Sequence, residues 1–110
     1  MKLPNGDRAI VEIEKLRRYC LNSGHPRGRH KARVFAASLG VAAQDAETLR
    51  ADLLLAARTD DAEVGQSDKH GTRYTLDCRM RRGVKSAVVR SHWIVRKGED
   101  APRLVTCYVV

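Results

Sequence analysis

Acidic side chains are absent from two long stretches of this 110-residue chain. Lys15 to Gln44 holds seven lysines and arginines without a carboxylate, and Arg79 to Lys97 holds seven more in the same way. No carboxylate lies near the densest basic segment, which argues against a paired-carboxylate nuclease; neither a metal nor a cofactor is expected. Glycine-rich phosphate loops of the Walker kind are missing, which removes nucleotide hydrolysis of that type. The three cysteines, Cys20, Cys78 and Cys107, fit no zinc or redox spacing and read as small buried apolar residues. No apolar run approaches the roughly 18 residues of a membrane span. Met1 to Asp7 lacks the apolar core of a signal peptide, so the expected compartment is cytoplasmic, with no membrane partner.

What remains is a chain with 43% apolar and 31% charged residues and a formal charge of +8. That composition and length predict one globular domain over residues 1–110, divided into a helical part (1–58) and a sheet part (72–110). The charge is segregated. Asp45 to Glu63 carries six acidic against two basic residues, the reverse of the two basic windows. A basic face beside an acidic helix suits an anionic partner better than a uniformly solvated surface does.

The periodicity changes part-way along. Ile13, Leu16 and Cys20 are at helical spacing and predict a first helix from Val11 to Leu21, broken by Asn22-Ser23-Gly24-His25-Pro26. A second is predicted from Arg27 to Leu39, stopped by Gly40, and a third from Ala42 to Arg58. Thr59 to Gly71 reads as a connecting loop, extended at most around Glu63-Val64. Beyond it, a two-residue alternation predicts strands at Thr72–Met80, Val84–Arg96 and Arg103–Val110, with a turn at Arg82-Gly83. Helices first and strands afterwards give an α+β class: three N-terminal helices on one face of an antiparallel sheet of three to four strands.

The segment Pro26-Arg27-Gly28-Arg29-His30-Lys31-Ala32-Arg33 concentrates the candidate chemistry. Arg27, Arg29 and Arg33 offer phosphate neutralisation, and His30 a proton-transfer group active near neutral pH. Lys31 falls on the Phe35–Leu39 stripe of its helix, the side facing the protein. It either snorkels to water or stands at the lip of a cleft, where its ammonium would neutralise charge developing on a phosphate. Of the four histidines, His30 and His92 stand out because each lies inside a basic window. Ser91 and His92 are strand neighbours pointing to opposite faces, which excludes a serine nucleophile paired with that histidine. Thr106 and Tyr108 share one side of the last strand.

The string Tyr19-Cys20-Leu21-Asn22, His25-Pro26, Gly28, His30-Lys31-Ala32, Phe35 and Leu39-Gly40 resembles a bacterial domain family of unassigned function. Tyr74, Asp77, Arg90, Trp93, Ile94, Pro102, Leu104, Thr106 and Tyr108 continue the resemblance. Its members occur alone and at the C-termini of polymorphic and contact-dependent toxins. More distantly, the layout is similar to the barnase, EndoU, colicin D and RelE group of metal-independent ribonucleases, with His30-Lys31 and Ser91-His92-Trp93 matching colicin D positions in kind. The resemblance implies a small RNA-cleaving toxin acting on tRNA or another structured RNA and leaving a 2',3'-cyclic phosphate. In that reading His30 is the acid/base, Lys31 and Arg90 stabilise the phosphorane, and Thr106 and Tyr108 orient phosphate or base. Arg27, Arg29, Arg33, His92, Trp93 and Arg96 hold RNA. An acidic cognate inhibitor protein is a further expected partner. The alternative is a non-catalytic basic module that binds nucleic acid or an acidic protein.

Overall fold

Helical apolar spacing followed by alternation sets the layout: three helices, then a four-strand antiparallel sheet, in a computed structural model that describes residues 1–110. Helix α1 opens at Ile13–Lys15 and continues into a wider π-helical turn, Leu16–Cys20, closed where the Leu21 N–H donates to the Leu16 carbonyl at 2.9 Å. Helix α2 spans Arg29–Leu39 and ends at Gly40. That glycine has φ 66°, a left-handed conformation in which its N–H bonds the Ala36 carbonyl at 2.9 Å. Helix α3, Ala46–Thr59, follows a single 3-10 turn, Ala43–Asp45, whose Asp45 carboxylate accepts the Ala42 N–H at 2.9 Å.

The strands are β1 (Glu63–Asp68), β2 (Gly71–Arg82), β3 (Lys85–Arg96) and β4 (Arg103–Val109), paired in the order β1-β2-β3-β4. The loop expected over Thr59–Gly71 is corrected here: its middle is β1, an edge strand, paired with β2 on one side only. Every residue from Glu63 to Ser67 is exposed, so this strand has no buried face and no apolar alternation to announce it.

One face of the sheet carries Tyr74, Leu76, Cys78 and Met80 from β2, Val89, Ser91 and Trp93 from β3, and Leu104 and Cys107 from β4, all buried. The helices close over this face, α2 against β3 and β4 and α3 against β2, so Phe35, Leu39, Leu49 and Leu53 join the same apolar cluster. Ser91 is the one buried residue of this layer with a polar side chain. Its Oγ donates to the Leu76 carbonyl at 3.2 Å and accepts the Trp93 indole N–H at 2.9 Å, so the burial leaves no polar atom unpaired.

A β-bulge in β4 decides what the other face presents. His92 is opposite Thr106 and Trp93 is opposite Leu104, leaving Val105 as an extra residue. The inward positions on either side of the bulge are Leu104 and Cys107, three residues apart, so the alternation changes phase. Strict alternation from Leu104 would send Thr106 and Tyr108 into the core. The bulge turns both outward, onto the side of Arg90 and His92.

Candidate active site

Two cross-strand rows occupy that outward face. In the first, Glu63 pairs with Thr75, Thr75 with His92, and His92 with Thr106, one residue from each strand. In the second, Asp77 pairs with Arg90 and Arg90 with Tyr108. Side chains directly opposite in an antiparallel pair lie about 5 Å apart, so each row is a line of contacts. Thr75 Oγ1 is 3.1 Å from His92 Nδ1, and His92 Nε2 is 2.8 Å from the Tyr108 hydroxyl. Both imidazole nitrogens are thus engaged. Arg90 donates from Nε and Nη2 to the two Asp77 carboxylate oxygens at 2.8 and 2.9 Å, a bidentate fork that fixes the guanidinium plane.

Helix α2 supplies the remaining cation. Lys31 reaches across the β4 edge and donates to Thr106 Oγ1 at 3.2 Å and to the Tyr19 hydroxyl at 3.4 Å. Its Nζ also lies 5.1 Å from the Tyr19 ring centroid and 5.3 Å from that of Tyr108. All of these partners are neutral, so the ammonium has no ion pair. The turn into α2 holds this cage in place. Gly28 is pressed against the Tyr19 backbone, where a Cβ would stand 2.2 Å from the Tyr19 carbonyl oxygen. His25 Nδ1 accepts the N–H groups of Arg27 and Gly28, both at 3.0 Å, and the His25 ring meets Tyr19 edge-on at 4.9 Å. His25 therefore holds the turn that leads into α2, a structural task.

The electrostatics follow from this crowding of cations. Partial burial, with the Arg90 and Lys31 charges behind it, holds His92 below the ordinary histidine value, so the imidazole is neutral at pH 7. The fork from Arg90 holds the Asp77 carboxyl below the usual carboxylate range and pushes the Arg90 guanidinium further up. Beneath Thr106 are two buried thiols. Their hydrogen bond lowers Cys20, against the effect of burial, and raises Cys107.

Two recesses flank the Tyr108–His92 pair. One, of about 280 Å3, is lined by His30, Lys31, Val34, Tyr108 and Val109. The other, of about 610 Å3, includes Asp61, Glu63, Thr75, Asp77, Arg90 and His92 in its walls.

Five residues singled out by sequence, His30, Lys31, Arg90, Thr106 and Tyr108, are thereby gathered around one ridge, together with His92. Arg27, Arg29 and Arg33 are exposed at the start of α2 with no ion-pair partner, and Arg96 is exposed at the far end of β3. Trp93 is the correction. It is fully buried in the core layer with its indole N–H bonded to Ser91, so it has no surface to offer RNA. Sequence reasoning missed Tyr19 and Thr75 and assigned Asp77 no task. Their contacts run across strands and between a helix and a sheet edge, and the alternation of Thr75, Asp77 and Arg79 on one side of β2 was the only signal available.

The model of the family described as Domain of unknown function (DUF6883) matches residues 2–110. The chain belongs to the DUF6883 family. Among solved structures, this DUF6883 chain is similar to one chain of a contact-dependent growth inhibition toxin–immunity protein complex from Klebsiella pneumoniae 342. The TM-score is 0.69 at 17% identity, over 92% of this chain and 99% of that one. At that identity the likeness is one of fold. No curated protein matches. No helix of the DUF6883 chain is long and apolar enough to cross a membrane.

Proposed function

We propose that this DUF6883 chain is a toxin-like endoribonuclease that cleaves tRNA or another structured RNA by transesterification, without a metal. The observation that carries the reading is the Tyr108 junction. Its hydroxyl is 2.8 Å from a half-buried histidine whose pKa is depressed, and its ring is 5.3 Å from an ammonium with no counter-charge. The Tyr108 hydroxyl passes its own proton to Nε2 of neutral His92 as it takes that of a ribose 2'-OH, the 2'-oxygen attacks phosphorus, and the bond to the 5'-oxygen breaks. His30, across Tyr108, returns a proton to that leaving oxygen. Lys31 and Arg90 stabilise the charge that gathers on the non-bridging oxygens of the phosphorane, with Thr106 and Tyr108 orienting the phosphate. Arg27, Arg29, Arg33 and Arg96 hold flanking phosphates.

The resemblance to toxin tips and the fold shared with a chain of a toxin–immunity complex support the toxin-like assignment, a cytoplasmic target, and an acidic protein partner for the basic face. Induced expression followed by end-mapping of total RNA tests the chemistry. Growth arrest with 2',3'-cyclic phosphate ends that persist in EDTA is the expected result. Chelation that abolishes cutting overturns the mechanism. The three unpaired arginines at the entry to α2, Arg27, Arg29 and Arg33, favour a second reading, a module that binds nucleic acid without turnover; intact RNA retained by the protein would establish it.

A further inference from the structure

The two recesses beside the ridge are chemically unlike, and the difference bears on which RNA fits. The smaller one has Val34 and Val109 as walls and the His30 and Tyr108 rings at its sides. It suits stacking of any base, since every base has a flat face. The larger cleft is polar. Asp77 is committed there to the Arg90 fork, whereas Glu63 has neither an ion pair nor a hydrogen bond, and it begins the row that runs through Thr75 to His92.

With strands about 4.8 Å apart, Glu63 lies roughly 10 Å from His92, the reach of a nucleoside whose phosphate rests on the ridge. A free carboxylate repels phosphate and accepts hydrogen bonds, so the group that fits is a base edge with adjacent donors. Uracil offers one ring N–H, while adenine and cytosine offer an exocyclic amine without a neighbouring ring N–H. Guanine alone presents a ring N–H beside an amine, which match the two oxygens of one carboxylate.

We infer that the cleft of Glu63, Thr75, Asp77 and Arg90 is a base subsite that selects guanine next to the phosphate held by His92 and Lys31. This inference rests on the proposed RNA-cleaving site. The test is equilibrium binding of guanosine and uridine monophosphates, each with the phosphate at the 3' or the 5' position, to the intact protein and to Glu63→Gln, with inorganic phosphate as a separate ligand for the intact protein.

Guanosine monophosphate should bind about 10- to 100-fold more tightly than its uridine counterpart, the worth of a hydrogen bond to a charged acceptor. In Glu63→Gln, which loses one acceptor oxygen, that preference should collapse. Glu63 is exposed on an edge strand, so the variant keeps its fold. Phosphate binding with equal affinity for both nucleosides overturns the guanine subsite and leaves the RNA site standing. Failure of phosphate and of every nucleotide to bind overturns both.

Discussion

Replacing Lys31 with methionine separates the chemical reading of this site from a structural one, because the two predict losses of different size. Methionine keeps the aliphatic stem, so packing along the α2 stripe is preserved. What goes is the ammonium: two long hydrogen bonds to neutral hydroxyls, at 3.2 and 3.4 Å, and its position over two tyrosine rings. Cation–π contacts at a half-exposed site contribute about 0.5–1 kcal/mol each. Sulfur against the same rings returns about 0.3–1.5 kcal/mol per contact, and desolvation of the charge is relieved. The net cost is about 1 kcal/mol, a fall of roughly 4 °C in Tm for a domain of this size. Against a typical stability of about 5–15 kcal/mol, that leaves the protein folded.

The rate behaves differently if the ammonium meets charge that exists only in the transition state. Removal of such a donor costs about 10²-fold or more in kcat, close to 3 kcal/mol. The assay is RNA cleavage by purified Lys31→Met, run beside thermal unfolding. A folded variant with a rate at least about 100-fold down supports the mechanism. Wild-type cleavage by a folded Lys31→Met refutes it and returns Lys31 to a snorkelling role.

Other outcomes can be checked on the same protein. Arg90→Gln removes a cation that depresses His92 and frees the opposing Asp77 charge, so an NMR titration of His92 should move upward, and the acid limb of cleavage with it; an unmoved titration contradicts the electrostatic account. Because His92 is depressed in the folded state, between that value and the ordinary 6.5 or so the unfolded chain binds a proton that the native one does not. Stability should therefore fall as pH drops through this window, and denaturant melts of His92→Gln should show a shallower fall. Gly28→Ala sets a Cβ 2.2 Å from the Tyr19 carbonyl and should cost about 2–3 kcal/mol, a Tm drop of roughly 8–12 °C; a drop under about 2 °C would mean that the turn is not a rigid support for Tyr19. His25→Ala should lose about 1 kcal/mol with the two hydrogen bonds that hold the turn before α2, and differential scanning calorimetry of the variant reads it.

The α+β order was legible because each class of element leaves a period in the sequence: Lys31, Phe35 and Leu39 mark α2, and Tyr74, Leu76, Cys78 and Met80 mark β2. Strand β1 left none. An edge strand exposed on both faces selects for no alternation, and Gly65-Gln66-Ser67 carries the composition of a turn. His30 and Lys31 were recognisable from charge and spacing, whereas Tyr19 and Thr75 gain their relevance only from partners 12 or more positions away. Trp93 shows a different failure. Its alternation already placed it with Val89 and Ser91 on the apolar side, and the pull of the Ser91-His92-Trp93 resemblance outweighed that period. A buried tryptophan is comfortable when its N–H finds a partner, and Ser91 provides one.

The extra residue in β4 makes neighbouring positions of one strand unequal targets for a change of length. Val105 is 41% exposed and its side chain is in no contact the site depends on, so many side chains should be interchangeable there. Its presence as a link in the chain is dispensable in the same way. Without Val105, Leu104 would pass directly to Thr106 and plain alternation would return with Thr106 and Tyr108 still outward, opposite His92 and Arg90; without Cys107, Tyr108 would turn inward and the junction of His92 with Lys31 would lose its middle. Across descendants of this sequence, Val105 should vary freely in identity and be lost without harm to the outward face, whereas the count of residues from Thr106 to Tyr108 should hardly change.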